Sequence, residues 1–212
     1  MKKGIIFDMD GTLWDSAKEV ADSWSIITKK RFGEDKVITE EKIRSVMGLT
    51  MDVLAAKVFD FLDDMDVIMD TLDECGKFEN DYLRENGAYV YPGVEETFSR
   101  LKDMGYNLYI VSNCQSGYIE AFLDYYGYGK YIDDIECYGN NNLKKGDNIK
   151  LVVGRNKLDK AVYVGDIQGD YDSSVEAGIK FIHAAYGFGT INAPVPKIEA
   201  FSELPQIISQ VI

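Results

Sequence analysis

The chain has 212 residues, 46% of them hydrophobic, and a formal charge of −13 from 36 acids against 23 basic residues. That excess repels nucleic acid and anionic membrane surfaces, and no basic stretch longer than Lys2-Lys3, Lys29-Lys30-Arg31 or Lys144-Lys145 offsets it. Cys75, Cys114 and Cys137 are dispersed and form no C-x-x-C pair, so neither a disulfide framework nor a zinc site is indicated. The apolar stretch after the N-terminal lysines is too short for a signal peptide, and nowhere do about 18 apolar residues run together. The expectation is a cytoplasmic globular protein with a small-molecule partner, no nucleic acid and no membrane.

In chain order, Gly4-Ile5-Ile6-Phe7 predicts a buried strand that ends in Asp8, Met9 and Asp10 before Gly11. From Asp15 to about Gly87 no strand is predicted. Apolar residues instead recur at helical spacing, as at Val20, Trp24 and Ile27 or at Ile68, Leu72 and Cys75, and predict about four helices with Thr39 as one N-cap. Pro92-Gly93 opens a further helix that Gly105 stops. Strands then follow at Leu108–Val111, Ala161–Val164 and Ile179–Ile182. Helices are predicted through Tyr118 and Phe122, through Ile149 and Val152, and after a cap at Ser202. Alternating strand and helix argue an α/β, Rossmann-like doubly wound parallel sheet with an inserted all-helical cap domain. The expected boundaries are 1–14 and 89–212 for the core and 15–88 for the cap. Because the insertion follows the first strand, it falls over the strand ends, where such sheets bind ligands.

Two acidic pairs dominate the candidate chemistry. Asp8 and Asp10 close the first strand, and Asp166 and Asp170 follow another in YVGDIQGDYDSS. If those strands are neighbours, the acids converge; like charges about 4 Å apart repel by roughly 4 kcal/mol at an effective dielectric near 20, so a cation or raised pKa values must compensate. Carboxylates alone favour a hard ion such as magnesium. Ser112 and Asn113 end a third strand, at a helix entrance suited to an anion. Lys144 or Lys145, ahead of a helix that Asp147 is expected to cap, adds positive charge. Asp15 and Asp172 are assigned ordinary turn or surface roles. His183, the only histidine, sits in an apolar strand and is assigned to packing, which leaves proton transfer to carboxylates. No G-x-x-x-x-G-K-[ST] loop or G-x-S-x-G elbow occurs, and a calcium loop would need its glycine at position 13, which is leucine.

Taken together, DMDGT, VSN, KKG-x-NI and GDIQGD in that order resemble the haloacid dehalogenase superfamily, in particular its phosphoglycolate phosphatase-like members with a helical cap. The resemblance spans the whole chain. It implies that Asp8 attacks a phosphoryl group to form an aspartyl phosphate and that Asp10 protonates the leaving alcohol and later activates water. It implies Mg2+ on Asp8, the Asp10 backbone carbonyl and Asp166, with Asp170 in an outer role or bound through water. It chooses Lys145 over Lys144, and assigns the phosphoryl oxygens to Ser112, Asn113, Lys145 and the backbone N–H groups of Gly11 and Thr12. The implied activity is phosphatase action on a small phosphorylated metabolite. A sugar phosphomutase or inorganic pyrophosphatase on the same core, and a phospho-accepting signalling receiver, are the alternatives. The loop Val46-Met47-Gly48-Leu49-Thr50 is expected to face substrate, with only Lys42, Arg44 and Lys57 as basic groups nearby.

Overall fold

The computed structural model describes residues 1–212, the side chain of Asp52 excepted. The elements run β1 (Lys3–Phe7), β2 (Trp14–Asp15), α1 (Ala17–Phe32), α2 (Glu40–Arg44), α3 (Met51–Val58), α4 (Met65–Asn86) and β3 (Tyr89–Val90). They continue with α5 (Val94–Asp103), β4 (Asn107–Ser112), α6 (Tyr118–Tyr126), β5 (Ile132–Cys137), α7 (Tyr138–Asn141) and α8 (Lys145–Arg155). The last are β6 (Lys160–Gly165), α9 (Gln168–Ala177), β7 (Lys180–Ala184), β8 (Lys197–Ile198) and α10 (Leu204–Val211).

Six strands form one parallel sheet in the order β5-β4-β1-β6-β7-β8. β1 is central because its Ile5, Ile6 and Phe7 are fully buried from both faces, the property that places an unbroken apolar run inside rather than at an edge. Ile5 and Phe7 pack with α5 and α10 residues such as Phe98 and Ile208, while Ile6 packs with Ile149 and Val152 of α8. From β1 the chain passes through the cap to β4 and outward to β5, then crosses to β6 on the other side of β1, so the carboxyl ends of β1, β4 and β6 border a topological switch point, the usual ligand crevice of such sheets.

The four helices α1 to α4 form the inserted cap. Its α4 is long and strongly amphipathic, capped by the Asp64 side chain, which accepts from the Asp66 and Val67 N–H groups. Thr39 caps α2 by accepting from the Lys42 N–H, as predicted. Both crossings between cap and core are joined: β2 and β3 pair antiparallel, Trp14 with Val90 and Asp15 with Tyr89.

Several local expectations require correction. Ser202 does not cap the last helix; a 3-10 turn over Phe201–Glu203 precedes α10, whose start is set by Pro205 in its first turn. Asp147 lies inside the first turn of α8, where it pairs with Lys150, rather than capping it. The edge strand β5 escaped prediction because IDDIEC is half acidic. Those acids are held by neighbours: Asp133 by Lys102, and Asp134 and Glu136 by Arg155. Charge on an edge strand also discourages pairing with another chain. The two-residue strands β2, β3 and β8 carry no periodicity to read.

Candidate active site

Asp8, Asp166 and Asp170 meet at the carboxyl ends of β1 and β6, all buried, each with a carboxylate oxygen lying within 4.8 Å of the others'. Lys145, at the start of α8, donates to Asp8 Oδ1 at 2.8 Å and to Asp170 Oδ1 at 2.6 Å. The second oxygen of Asp170 accepts from the Asp166 and Ile167 N–H groups, so this acid ties the β6–α9 turn to the lysine. Asp166 Oδ2 accepts from the Phe188 N–H, while its Oδ1, buried, has no hydrogen-bond partner among the described residues. Glycine is required around Asp166: a Cβ on Gly11, whose φ is +84°, would lie 2.1 Å from Asp166 Oδ2, and one on Gly187 would lie 2.3 Å from the Gly11 carbonyl.

Asp10 occupies a separate niche. Its Oδ1 accepts from Ser16 Oγ and Tyr118 OH, both at 2.7 Å, and those hydroxyls also contact each other at 2.6 Å. The second carboxylate of the DxD pair is thus steered away from the Lys145 cluster by hydroxyls from α6 and the residue before α1.

Burial is the main cause of the raised pKa values. It pushes Asp8 up to about 7, reinforced by the charge of Asp170 and opposed by Lys145. Asp166 rises to about 8 through burial and the charges of Asp170 and Asp8. Asp10 rises to about 6 through burial, restrained by its bonds from Ser16 and Tyr118. Burial would lower Lys145, but Asp170 and Asp8 outweigh it and hold the ammonium charged well above its usual range. One buried lysine against three buried carboxylates leaves a deficit of positive charge that a divalent cation would fill.

Above this floor lies a cavity of about 50 Å³ lined by Asp8, Asp10, Ser112 and Asn113 from the core and by Trp24, Met47, Gly48 and Glu79 from the cap. Past Met51 and Gln115 it adjoins a wider one of about 350 Å³ beside exposed Asp73 and Lys77. The predicted cap loop does reach the site: the Asn113 side-chain amide donates to the Gly48 carbonyl at 2.9 Å. Gly48, with φ +81°, packs so closely on Ile167 that a Cβ would lie 2.4 Å from its Cδ1. Further along, Gln115 donates to Asn80 and Asn80 to the Ser116 carbonyl, joining α4 to the loop that follows β4.

The structure therefore brings together Asp8, Asp10, Ser112, Asn113, Lys145, Asp166 and Asp170. It corrects one assignment, the backbone N–H groups of Gly11 and Thr12. These donate to the Trp14 and Met9 carbonyls and are consumed within the turn, so they do not serve a phosphoryl group. Asp15 pairs with Arg44 and Asp172 accepts from Gln168, as ordinary roles require. His183 is buried between β6 and β8, with its Nε2 3.2 Å from the Asp166 carbonyl. Sequence reasoning missed Ser16 and Tyr118, because Tyr118 lies 108 residues from the acid it serves. It also missed Glu79, although a readable signal existed: Glu79 interrupts the α4 stripe of Ile68, Leu72, Cys75 and Leu83.

Against known proteins, the family model for haloacid dehalogenase-like hydrolases matches residues 5–184, and the chain belongs to that family. It is 27% identical over 198 residues to a phosphoglycolate phosphatase of Aquifex aeolicus, covering 91% of this chain and 89% of the relative. It is 26% identical over 221 residues to a phosphoglycolate phosphatase of Vibrio parahaemolyticus, covering 98% and 96%. A crystal structure of a haloacid dehalogenase-like hydrolase from Bacteroides fragilis shares the fold with a TM-score of 0.81 at 21% identity, covering 96% of this chain and 100% of that one. Within the family, the chain is a phosphoric monoester hydrolase.

Proposed function

We propose that this chain is a magnesium-dependent, cytoplasmic phosphatase that hydrolyses a small phosphomonoester through an aspartyl phosphate on Asp8. The observation that carries the reading is the division of labour in the floor: Asp8 and Asp170 are held by Lys145, while Asp10 is held apart by Ser16 and Tyr118. The donor set fits a hard divalent ion, being all oxygen, buried, and with one Asp166 oxygen unpartnered. Asp8, Asp166 and the Asp10 backbone carbonyl would hold magnesium, with Asp170 orienting the cluster. Bound there, the ion supplies the charge that offsets the carboxylates and the phosphoryl oxygens.

Asp8 attacks phosphorus, forming a carboxylate–phosphorus bond as the bond to the leaving alcohol breaks, and Asp10 delivers its proton to the departing oxygen. Asp10, now ionised, takes a proton from water as that water attacks phosphorus. The aspartyl–phosphorus bond breaks, and Asp8 and inorganic phosphate are released. Asp10 suits both roles because its pKa of about 6 lets it carry or release a proton near neutrality. Ser112, Asn113 and Lys145 bind the phosphoryl oxygens. In place of the Gly11 and Thr12 N–H groups, those of Met9 and Asp10 serve here, neither having an acceptor among the described residues. The division into a core of residues 1–14 and 89–212 and a cap of residues 15–88 belongs to the same proposal.

Beside the cap loop Lys42 is paired with Asp60 and Arg44 with Asp15 and Glu40, and no lysine or arginine among the described residues lines the cavity over Asp8, which favours a phosphatase over a mutase acting on a sugar bisphosphate. Phosphate release from p-nitrophenyl phosphate with magnesium, lost in Asp8→Asn, tests the phosphatase reading. A stable phosphoprotein without turnover would replace it with the receiver.

A further inference from the structure

Among the described residues, the roof of the cavity carries one charged group, and it is negative. Glu79, on α4, is 2% exposed and lines the cavity beside Trp24, whose indole Nε1 donates to its Oε2 at 2.5 Å. No salt bridge reaches it among the described residues, and its pKa is set by burial and by neutral hydrogen-bond donors rather than by a cation. Around it the roof is apolar, formed by Val20, Ile43, Met47 and Leu54, and no lysine or arginine lines the cavity. The nearest buried cation, Lys145, is bound between Asp8 and Asp170. A buried carboxylate with no cation demands hydrogen-bond donors; the indole supplies one, and the Gln115 amide is near enough to restrain its pKa as well. Burial raises its pKa to about 7, so it is largely ionised a unit or more above neutrality.

A phosphomonoester seated with its phosphoryl group over Asp8 directs its leaving alcohol into this space, between Asp10 and Glu79. A carboxylate on that alcohol would meet two acids, the neutral amides of Asn113 and Gln115, apolar walls and no counter-charge. A hydroxyl or ammonium there would donate to Glu79. We infer that Glu79 sets the leaving-group specificity, so that this enzyme acts on small phosphomonoesters whose alcohol carries a hydrogen-bond donor and discriminates against 2-phosphoglycolate. This rests on the phosphatase reading above and narrows it. The phosphoglycolate substrate in its relatives' names does not carry over to this chain.

The test is steady-state kinetics at about pH 8.5 with magnesium on phosphoethanolamine, glycerol 2-phosphate and 2-phosphoglycolate. The first two are expected to exceed 2-phosphoglycolate in kcat/KM by at least about tenfold. Glu79→Gln keeps the shape and the acceptor for Trp24. It is expected to shrink that ratio about fivefold, mainly by lowering KM for 2-phosphoglycolate. Because this is a gain on the disfavoured substrate, misfolding cannot imitate it, and the ranking in the unsubstituted enzyme stands as a separate reading. Calorimetric binding of phosphoethanolamine and 2-phosphoglycolate to Asp8→Asn should show the same order. A preference for 2-phosphoglycolate, or a ratio that Glu79→Gln leaves unmoved, overturns the inference while leaving the phosphatase intact. Failure to release phosphate from any of the three or from p-nitrophenyl phosphate overturns both.

Discussion

The floor and the roof of the cavity are both acidic, but the two solve the problem of a buried carboxylate differently. In the floor, Asp8, Asp166 and Asp170 are gathered around Lys145 by strand ends and helix starts far apart in sequence, and their repulsion creates a place for a cation. In the roof, Glu79 has no cation beside it and only neutral donors, Trp24 Nε1 and the Gln115 amide. A buried ion cluster that must be neutralised suits chemistry on a phosphoryl group, whereas one lone acceptor suits recognition of a neutral or cationic substituent. On the proposed reading, chemistry resides in the sheet and selection in the cap.

The largest expected effect breaks the floor. Asp8→Asn should reduce turnover of p-nitrophenyl phosphate by at least about 10⁴-fold, since the proposed nucleophile is gone. Next, Asp10→Asn should lower turnover of an alkyl phosphate by about 10³-fold while magnesium still binds, as titration calorimetry would show. Near-normal activity in that variant would overturn the acid–base assignment.

Lys145→Met leaves Asp8 and Asp170 without their counter-charge and should destabilise the metal-free protein by about 3–5 kcal/mol in urea unfolding. Magnesium should recover part of that loss. The pH dependence of the unsubstituted protein sharpens the same point. Asp8, Asp10, Asp166 and Glu79 all have raised pKa values, at about 7, 6, 8 and 7. The folded state therefore holds protons that the unfolded chain releases near pH 4, and this contribution to stability is lost as pH rises from about 4 to about 8. Metal-free Tm should drop by about 5–10 °C from pH 5 to pH 8, and saturating magnesium should remove the share of the drop that belongs to Asp8 and Asp166 by favouring their ionised forms. A metal-free Tm that instead rises over this range would show that the cluster is not held protonated.

The smallest effect belongs to the loop joining roof and floor. Asn113→Ala removes the bond to the Gly48 carbonyl together with the side chain's proposed phosphoryl contact and should raise KM about threefold to tenfold, with little change in the magnesium response.

The two regions were not equally legible in the sequence. The floor could be read because Asp8 and Asp166 each follow an unbroken apolar strand, β1 and β6, and Asp170 opens the helix after the second. The central strands followed for the same reason. What supports the floor could not be read: Ser16 and Tyr118 reach Asp10, and Tyr163 lies 3.4 Å from Asp8, only because the chain folds back on itself. The assignment of Gly11 and Thr12 failed because a tight turn consumes its own N–H groups, which spacing does not reveal. β5 was hidden by its acids, whose partners Lys102 and Arg155 come from neighbouring helices. The roof was legible only in outline. Helical periodicity gave its helices, but an acid in an apolar stripe acquires meaning only once Trp24 and the cavity stand beside it.

The chain has two tryptophans, and both belong to the joint between these regions. Trp14 lies in the β2–β3 pair, edge-on to Tyr118 and Phe122, and Trp24 stacks on Phe59 while donating to Glu79. Indole emission follows the polarity and charge around the ring, so the unlabelled protein carries one optical probe at the hinge and another in the roof. Trp14→Phe and Trp24→Phe would assign the two signals. Titration with magnesium and then with substrate would read the metal site and the selecting wall as separate spectral events.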